Sequence, residues 1–365
     1  MDRELKALMR SLEKGRRRRR VPEARYRTEM QDPGNVLEIE ELKTGFFTDD
    51  GLVRSVDGVS FAVPAGKIVG VVGESGCGKS VTSLSILQLL QRPQGQILSG
   101  ELRLNLGDRA YDLAKAPEEF MRRIRGNVIS MIFQEPMTAL DPVLTIGRQI
   151  DEVIMLHDKT RTTRQQVRRR TLELLELVGI ANGPWVYKAY PHDLSGGMRQ
   201  RVMIAMALAC DPRLIIADEP TTALDVTIQA QILQLLKQLK EKLGSAVLLI
   251  THDLGVVAGM ADFVVVMYAG RVVEQGTVEE IFYTPAHPYT LGLMASKPVV
   301  GKPVDKLYSI PGSVPDPHGL PAHCYFRERC HRAGACCQGD YPEFIHLSPT
   351  HKVSCHLVTR EDRHG

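Results

Sequence analysis

Residues 68–80 read IVGVVGESGCGKS, and this stretch decides the fold class. It opens with a short apolar run, Ile68–Val72, which predicts a buried strand. A glycine-rich segment follows and ends in Lys79 and Ser80, which matches the phosphate-binding P-loop pattern of Gly, four residues, then Gly-Lys-Ser. Apolar side chains at helical spacing continue over residues 80–90. The segment therefore has the strand-to-helix context that a P-loop requires.

The P-loop predicts a site for the phosphates of a nucleotide and for Mg²⁺. Glycines allow successive backbone N–H groups to converge on phosphate oxygens, and the following helix N-terminus adds partial positive charge. We expect Lys79 to reach the β- and γ-phosphates and the Ser80 hydroxyl to ligate magnesium. The predicted nucleotide contacts are Gly73, Glu74, Ser75, Gly76, Cys77, Gly78, Lys79, Ser80 and Val81. This loop alone does not choose among kinases, GTPases and motor ATPases.

Elsewhere the chain alternates between strand and helix patterns. Residues 36–42 alternate apolar and polar side chains, which is typical of an edge strand. Further strands are predicted at 58–63, 214–217 and 247–251, and helices at 163–178 and 227–243. The alternation predicts an α/β fold with a parallel sheet.

Two other segments carry residue types suited to phosphate chemistry. The buried strand LIIA at 214–217 ends in two carboxylates, Asp218 and Glu219. Asp218 is placed to orient the magnesium shell, and Glu219 to polarise an attacking water as general base. The sequence LSGG at 194–197 predicts a helix start whose Ser195 hydroxyl and free amides form a second anion site.

Taken together, these motifs resemble those of the ABC ATPases over residues 36–295. The resemblance implies a P-loop domain with a RecA-like parallel core, an antiparallel β subdomain and a helical subdomain. It implies that Ser195, Gly196 and Gly197 bind the γ-phosphate held by a facing subunit, although Met198 stands where the family usually has Gln.

The same resemblance assigns further site residues. Gln134, in IFQEP, corresponds to the Q-loop that senses magnesium and water, and His252, in ITHD, to the switch histidine. Asp225 ends the D-loop segment Ala223-Leu224-Asp225. Phe47 is the predicted adenine-stacking residue, with its neighbour Phe46 as the alternative. The implied catalytic residues are Glu219, His252 and Gln134, and the implied magnesium ligands are Ser80, Gln134 and Asp218.

Longer phrases narrow the resemblance to importers of dipeptides and oligopeptides, a group that also serves nickel. The phrases are FQEPMTALDP at 133–142, ADEPTTALDVTIQAQ at 217–231 and HPYT at 287–290. The implied partners are a paralogous ATPase subunit, two transmembrane permease subunits and, indirectly, an extracytoplasmic solute-binding protein. The implied location is the cytoplasmic face of the inner membrane. The alternatives are import of nickel or another small solute, a regulatory subunit with little turnover, and a soluble ABC ATPase of DNA repair or translation.

Five of the seven cysteines lie between residues 324 and 355. In a cytosolic protein such a cluster favours metal binding over disulfides. The importer resemblance implies a four-iron, four-sulfur cluster, with zinc or unmetallated thiols as the alternatives. The implied ligands are Cys324, Cys330, Cys337 and Cys355, which leaves Cys336 as the spare thiol.

Composition and charge set the domain boundaries. The chain has 365 residues, of which 43% are hydrophobic and 24% charged, as in ordinary folded proteins. We predict a basic, disordered tail over residues 1–35, the nucleotide-binding domain over 36–295, and a small, loop-rich cysteine domain over 296–365. The basic excess lies in the tail, so we expect no nucleic-acid partner. Apolar runs are too short to cross a bilayer.

Overall fold

The computed structural model describes residues 2–18, 20–135, 139–157, 163–222, 225–296 and 308–359. Two units make up the fold. The first contains residues 1–62, 69–117 and 251–365, and the second contains residues 63–68 and 118–250.

Among its described residues, the first unit combines β-sheets with five α-helices. Its helices are α1 (Arg3–Arg16), α2 (Lys79–Ile86), α9 (Leu254–Met260), α10 (Val278–Tyr283) and α11 (Pro288–Ala295). Its strands are β1 (Arg27–Thr28), β2 (Asn35–Thr48), β3 (Gly51–Pro64), β4 (Ile68–Val72), β5 (Gly95–Asn105), β6 (Ala110–Asp112), β10 (Phe263–Tyr268), β11 (Arg271–Thr277), β12 (Ile345–His346) and β13 (Lys352–Val353). The last two residues of β3 and the first residue of β4 belong to the second unit.

An antiparallel sheet in the first unit has the strand order β1-β6-β5-β2-β3. Strand β2 therefore lies between two others, and the prediction of an edge strand at 36–42 is wrong. Glu38 contributes a polar position to the alternating pattern that predicted an edge strand, yet its side chain is buried. Its carboxylate accepts hydrogen bonds from the backbone N–H groups of Gln31 and Asp32 and from the side chain of Asn35. A satisfied carboxylate can lie within a central strand, so alternation alone did not locate β2 in the sheet.

A second set of strands in this unit leads to the P-loop. Strand β10 pairs in parallel with β4, with Val264 opposite Gly70, and pairs antiparallel with β11. All five residues of β4 are buried, as expected for a parallel strand covered on both faces.

The second unit contains three parallel strands and a group of helices. The strands are β7 (Ile129–Ile132), β8 (Leu214–Asp218) and β9 (Ala246–Ile250). The helices are α3 (Glu118–Ile124), α4 (Ile146–His157), α5 (Arg164–Leu177), α6 (Gly183–Lys188), α7 (Gly196–Ala207) and α8 (Val226–Leu243). Strand β8 pairs in parallel with both β7 and β9, which confirms the predicted parallel α/β fold.

The helix predicted at 163–178 agrees closely with α5, whereas the helix after the P-loop is shorter than predicted. Helix α5 begins after Thr163, whose side chain accepts from the N–H of Gln166 while the Gln166 side chain reaches back to the Thr163 N–H. This reciprocal cap satisfies two donors that the helix leaves unpaired. Helix α2 ends at Ile86, four residues before the predicted end at residue 90.

The prediction of a disordered tail over residues 1–35 is wrong for the residues described. Helix α1 begins at its cap Asp2, and β1 pairs with β6. Arg16 donates to the backbone oxygens of Gln88 and Gly95 at 2.9 and 3.0 Å. Arg16 belongs to the basic stretch for which a disordered tail was predicted, yet its side chain is hydrogen-bonded to other residues of the first unit.

The C-terminal residues do not form the separate domain predicted from residue 296. Residues 308–359 belong to the first unit, and β13 pairs with β11, with Val353 opposite Glu274. Their loop-rich character is confirmed, since the structure gives them two short strands and two 3₁₀ turns. The predicted boundary lies beside residues 297–307, outside the described residues.

No helix within the described ranges has the length and apolar character to span a bilayer.

The packing of α1 gives a direct test. Glu13 is 7% exposed, accepts from Gln96 Nε2 at 3.0 Å and pairs with Arg17 at 2.7 Å. We expect Glu13→Ala to lower the free energy of unfolding by about 1 kcal/mol, because the buried Gln96 amide loses one of its two acceptors. Urea denaturation measures this change. Lys14→Ala, on the exposed side of the same helix, is the control and should have little effect.

Candidate functional site

The P-loop follows β4 as the sequence predicts, and its backbone explains the glycines. Gly73 and Gly78 have φ of +153° and +96°, which L side chains rarely adopt. A Cβ at Gly73 would collide with the carbonyl oxygen of Met267, and one at Gly78 with that of Ser55. The loop therefore needs glycine for both conformation and space.

The loop presents polar groups on one side and is fixed on the other. Ser75 and Gly76 are exposed, so their backbone is accessible to a ligand. Gly270, outside the loop, donates its N–H to the Cys77 carbonyl at 3.0 Å. Cys77 itself is buried, and burial raises the pKa of its thiol. It therefore acts as a packing residue of the loop rather than as a nucleophile.

Lys79 begins α2, and its ammonium lies over the loop. The side chain is 5% exposed, and Nζ donates to the carbonyl oxygens of Gly73 at 2.8 Å and Glu74 at 3.0 Å. Ser80 and Val81 follow in the first turn of the helix and are half-buried. A cation and a helix N-terminus directed at one loop suit a phosphate chain.

The predicted switch histidine lies beside the strand that feeds this loop. The N–H of Thr251 donates to the Val71 carbonyl at 3.2 Å, and His252 follows at an exposed position. The hydroxyl of Thr251 accepts from the Asp253 N–H at 3.0 Å, which holds the turn. Within the first unit, the structure thus brings His252 to the carboxyl end of β4, where the P-loop begins.

In the second unit, Glu219 and Gln134 meet although 85 residues separate them. Gln134 Nε2 donates to Glu219 Oε2 at 3.3 Å, and Thr222 Oγ1 donates to the same oxygen at 2.8 Å. Asp218, the last residue of β8, is 5% exposed. Glu219 has φ of +46° and donates its N–H to the Ile250 carbonyl at 2.8 Å. A non-glycine residue in this region is uncommon and marks a constrained position.

The remaining predicted residues of this unit lie at helix starts. Ser195 caps α7, where its Oγ accepts from the Met198 N–H at 3.4 Å, and Ser195 and Gly196 are exposed while Gly197 is half-buried. Asp225 caps α8 and accepts from the Ile228 N–H at 3.0 Å. Ala223 and Leu224 of the predicted D-loop, like Pro136, Met137 and Thr138 of the quoted phrase, lie outside the described residues.

Phe47 is not available for adenine stacking. Its side chain is 2% exposed and belongs to the core, whereas Phe46 is half-buried. Side chains alternate between the two faces of a strand, so only one of two adjacent residues can face outward. The sequence could not fix which one; of the two candidates Phe46 is the less buried, and adenine stacking by it stays a prediction.

The cysteine segment has suitable donors without a confirmed metal site. Cys337 and Cys355 are buried, Cys324 and Cys330 are half-buried, and Cys336 is exposed. Burial raises the pKa of Cys355 to about 11, and the thiols of Cys324, Cys330 and Cys337 add to the rise, so these four sulfurs lie in one neighbourhood. Among the described residues, however, no three His, Cys, Asp or Glu side chains are arranged to hold a metal ion. The predicted cluster is therefore not confirmed.

Comparison with known proteins identifies the family. The model described as ABC transporter matches residues 56–222, and that described as oligopeptide/dipeptide transporter, C-terminal region, matches residues 273–337. The chain is 51% identical to the oligopeptide transport ATP-binding protein AppD of Bacillus subtilis, over 89% of this chain and 98% of the relative. The chain belongs to the ABC transporter ATP-binding proteins.

Other relatives agree with this assignment. The dipeptide transport ATP-binding protein DppD of Bacillus subtilis is 47% identical over 90% of this chain and 97% of its own length. Among solved structures, the ATP-binding cassette MJ0796, in a dimeric post-hydrolysis state bound to ADP and phosphate, has a TM-score of 0.59 at 27% identity. That match covers 66% of this chain and 98% of the cassette. The chain is therefore an ABC-type ATPase.

The role of Glu219 can be measured directly. Glu219→Gln keeps a hydrogen-bonding side chain and removes the basic carboxylate, so we expect ATP binding to persist while turnover falls by about 10²–10⁴-fold. Glu241→Gln, an exposed residue of α8, is the matched control. ATP binding and steady-state hydrolysis are measured on both variants. Unchanged turnover in Glu219→Gln would remove this residue from its proposed role as base.

Proposed function

We propose that this chain is the ATP-hydrolysing subunit of an importer of dipeptides or oligopeptides. The observation that carries the proposal is similarity along 89% of the chain to a protein named for oligopeptide transport. The C-terminal family match at 273–337 supports it as well, because that model is described as the C-terminal region of oligopeptide/dipeptide transporters. None of the similarities described here favours nickel or a purely regulatory role.

We assign chemical roles to the candidate residues of each unit in turn. Lys79 and the loop amides bind the β- and γ-phosphates of ATP, and Phe46 offers its ring to adenine. Glu219 accepts the proton of the attacking water, while Gln134 and Thr222 orient its carboxylate. His252 contacts the γ-phosphate. Hydroxyl and carboxylate oxygens suit Mg²⁺, and Ser80, Asp218 and Gln134 would hold it, where it would neutralise phosphate charge.

The exposed start of α7 supports the proposal that ATP is bound between two subunits. Ser195 and Gly196 present a hydroxyl and free amides at the N-terminus of a 12-residue helix. We propose that this surface binds the γ-phosphate of ATP held by the P-loop of a related ATPase subunit. Closure of two such subunits around ATP would be transmitted to two membrane permease subunits at the cytoplasmic face of the inner membrane, with a solute-binding protein supplying the peptide.

Reconstitution tests this proposal. ATP hydrolysis is compared between the isolated chain and the complex with permeases, partner ATPase and peptide-loaded binding protein in liposomes. We expect weak hydrolysis by the chain alone and strong stimulation in the loaded complex, because each ATP needs groups from two subunits. Loading the binding protein with an unrelated solute is the control. Equal rates in the isolated chain and the loaded complex would contradict the importer assignment.

The iron–sulfur cluster stays a prediction and belongs to the same proposal. Its support is chemical: Cys324, Cys330, Cys337 and Cys355 supply four thiols from one loop-rich segment, as such clusters require. We expect anaerobically purified protein to contain about four irons and four sulfides per chain. Cys336→Ser should leave the iron content unchanged, whereas Cys355→Ser should lower it. Zinc in place of iron, or neither metal, would contradict the prediction.

A further inference from the structure

Glu74, the second residue of the P-loop, is held at three points. Its N–H donates to the hydroxyl of Tyr289 at 2.9 Å, and its carbonyl accepts from Lys79 Nζ at 3.0 Å. Its carboxylate pairs with both terminal nitrogens of Arg329, with Oε2 to Nη1 at 2.6 Å and Oε1 to Nη2 at 3.0 Å. Arg329 lies 255 residues away, in the C-terminal segment 308–359. Sequence spacing carries no signal of this pair.

Burial and hydrogen bonds hold Arg329 in this position. Its side chain is 5% exposed, and each of its five N–H donors has an acceptor. Besides the carboxylate of Glu74, the acceptors are Pro311 O, Ile310 O and the hydroxyl of Tyr268. A planar guanidinium with every donor engaged has one orientation, so Arg329 fixes the carboxylate rather than following it.

An aromatic cluster supports both partners of Glu74. The ring centroid of Tyr268 lies 4.7 Å from that of Tyr289 and 5.2 Å from that of Phe326. Burial raises the pKa of Tyr289 far above its ordinary value, so its hydroxyl stays neutral and accepts the N–H of Glu74. A guanidinium is not deprotonated in proteins, so Arg329 is a cation beside the Glu74 carboxylate.

The charges of Glu74 and Arg329 bear on phosphate binding at the P-loop. A carboxylate in a loop that binds phosphates opposes its ligand, because like charges repel strongly where water is scarce. Arg329 balances this charge and directs the carboxylate toward the aromatic cluster. The Tyr289 hydroxyl meanwhile fixes the peptide plane just before the exposed Ser75 and Gly76.

We propose that Arg329 is a positioning residue for ATP: it neutralises Glu74 and, together with Tyr289, holds the P-loop backbone in the conformation that receives the phosphates. The inference rests on ATP binding at the P-loop, which the proposed function shares. It assigns part of the ATP affinity to the C-terminal segment, which lies outside the nucleotide-binding motifs found in the sequence.

A charge-removal pair tests this role in the assembled transporter. We expect Arg329→Met to raise the KM for ATP about tenfold, equivalent to about 1.4 kcal/mol, with kcat changed much less. Removing the repulsive carboxylate as well, in Glu74→Gln with Arg329→Met, should bring KM back to within about threefold of the wild type. Arg327→Met removes a charge from the same turn, where Arg327 pairs with Glu328, and should leave KM unchanged.

A merely structural role predicts different results. If Arg329 serves only stability, Arg329→Met lowers the melting temperature without changing KM, and Glu74→Gln does not rescue it. Either result, in protein that remains folded, would overturn the proposal. Should Arg329→Met fail to fold, Arg329→Lys keeps the charge but loses the two-pronged contact. Its expected result is a smaller rise in KM at constant kcat, and an unchanged KM would overturn the proposal.

Binding of a fluorescent ATP analogue to the purified full-length chain separates the two hypotheses. If the wild type fails to bind the analogue, the ATP site itself is wrongly assigned. If the wild type binds it and Arg329→Met binds it equally well, the positioning role alone is wrong. The expected result is binding by the wild type, weaker binding by Arg329→Met, and recovery in the double variant.

Discussion

Fully buried parallel strands impose the constraint on which the rest of this structure depends. All residues of β4 and β8 are buried, so neither strand can carry an exposed functional group along its length. Polar chemistry is confined to the points where the chain leaves each strand. In the first unit that point is the P-loop, and in the second it is Asp218 and Glu219. Parallel sheets bind ligands at the carboxyl ends of their strands for this reason.

Prediction from sequence worked where the signal was local. The apolar run of β4, the glycines of its loop and the cap of α5 act within a few residues, so their pattern is readable along the chain. The failures involve partners distant in sequence. Residues 1–35 looked solvated because nothing in their composition shows that Arg16 meets Gln88 and Gly95. Likewise, the family resemblance left two neighbouring candidates for adenine stacking, and only packing shows that Phe47 is buried and Phe46 partly exposed.

Glu219 shows how a constrained backbone can serve a reactive group. Its positive φ turns the chain sharply at the end of β8, and its N–H is fixed to the Ile250 carbonyl. The side chain is then held by Thr222 and Gln134 through a single oxygen, Oε2. Strain of about 1–3 kcal/mol at such a position persists only where surrounding bonds enforce it. In the proposed role of general base, a carboxylate held in this way needs little reorganisation before it activates water.

The C-terminal segment is held by buried polar contacts in place of extended ladders. Its β13 has only two residues, yet Asp57 of β3 accepts from both Arg271 at 2.7 Å and Tyr325 at 2.7 Å, and Arg271 lies 4.0 Å from the ring centroid of Tyr341. The pair of Arg329 and Glu74 repeats this arrangement at the P-loop. Breaking a buried pair on one side costs about 3–5 kcal/mol, because a charge is left without its partner. Such contacts are specific in their geometry: Asp57 accepts from Arg271 and Tyr325, and at Glu74 the two-pronged contact with Arg329 ties the phosphate-binding loop to the C-terminal segment.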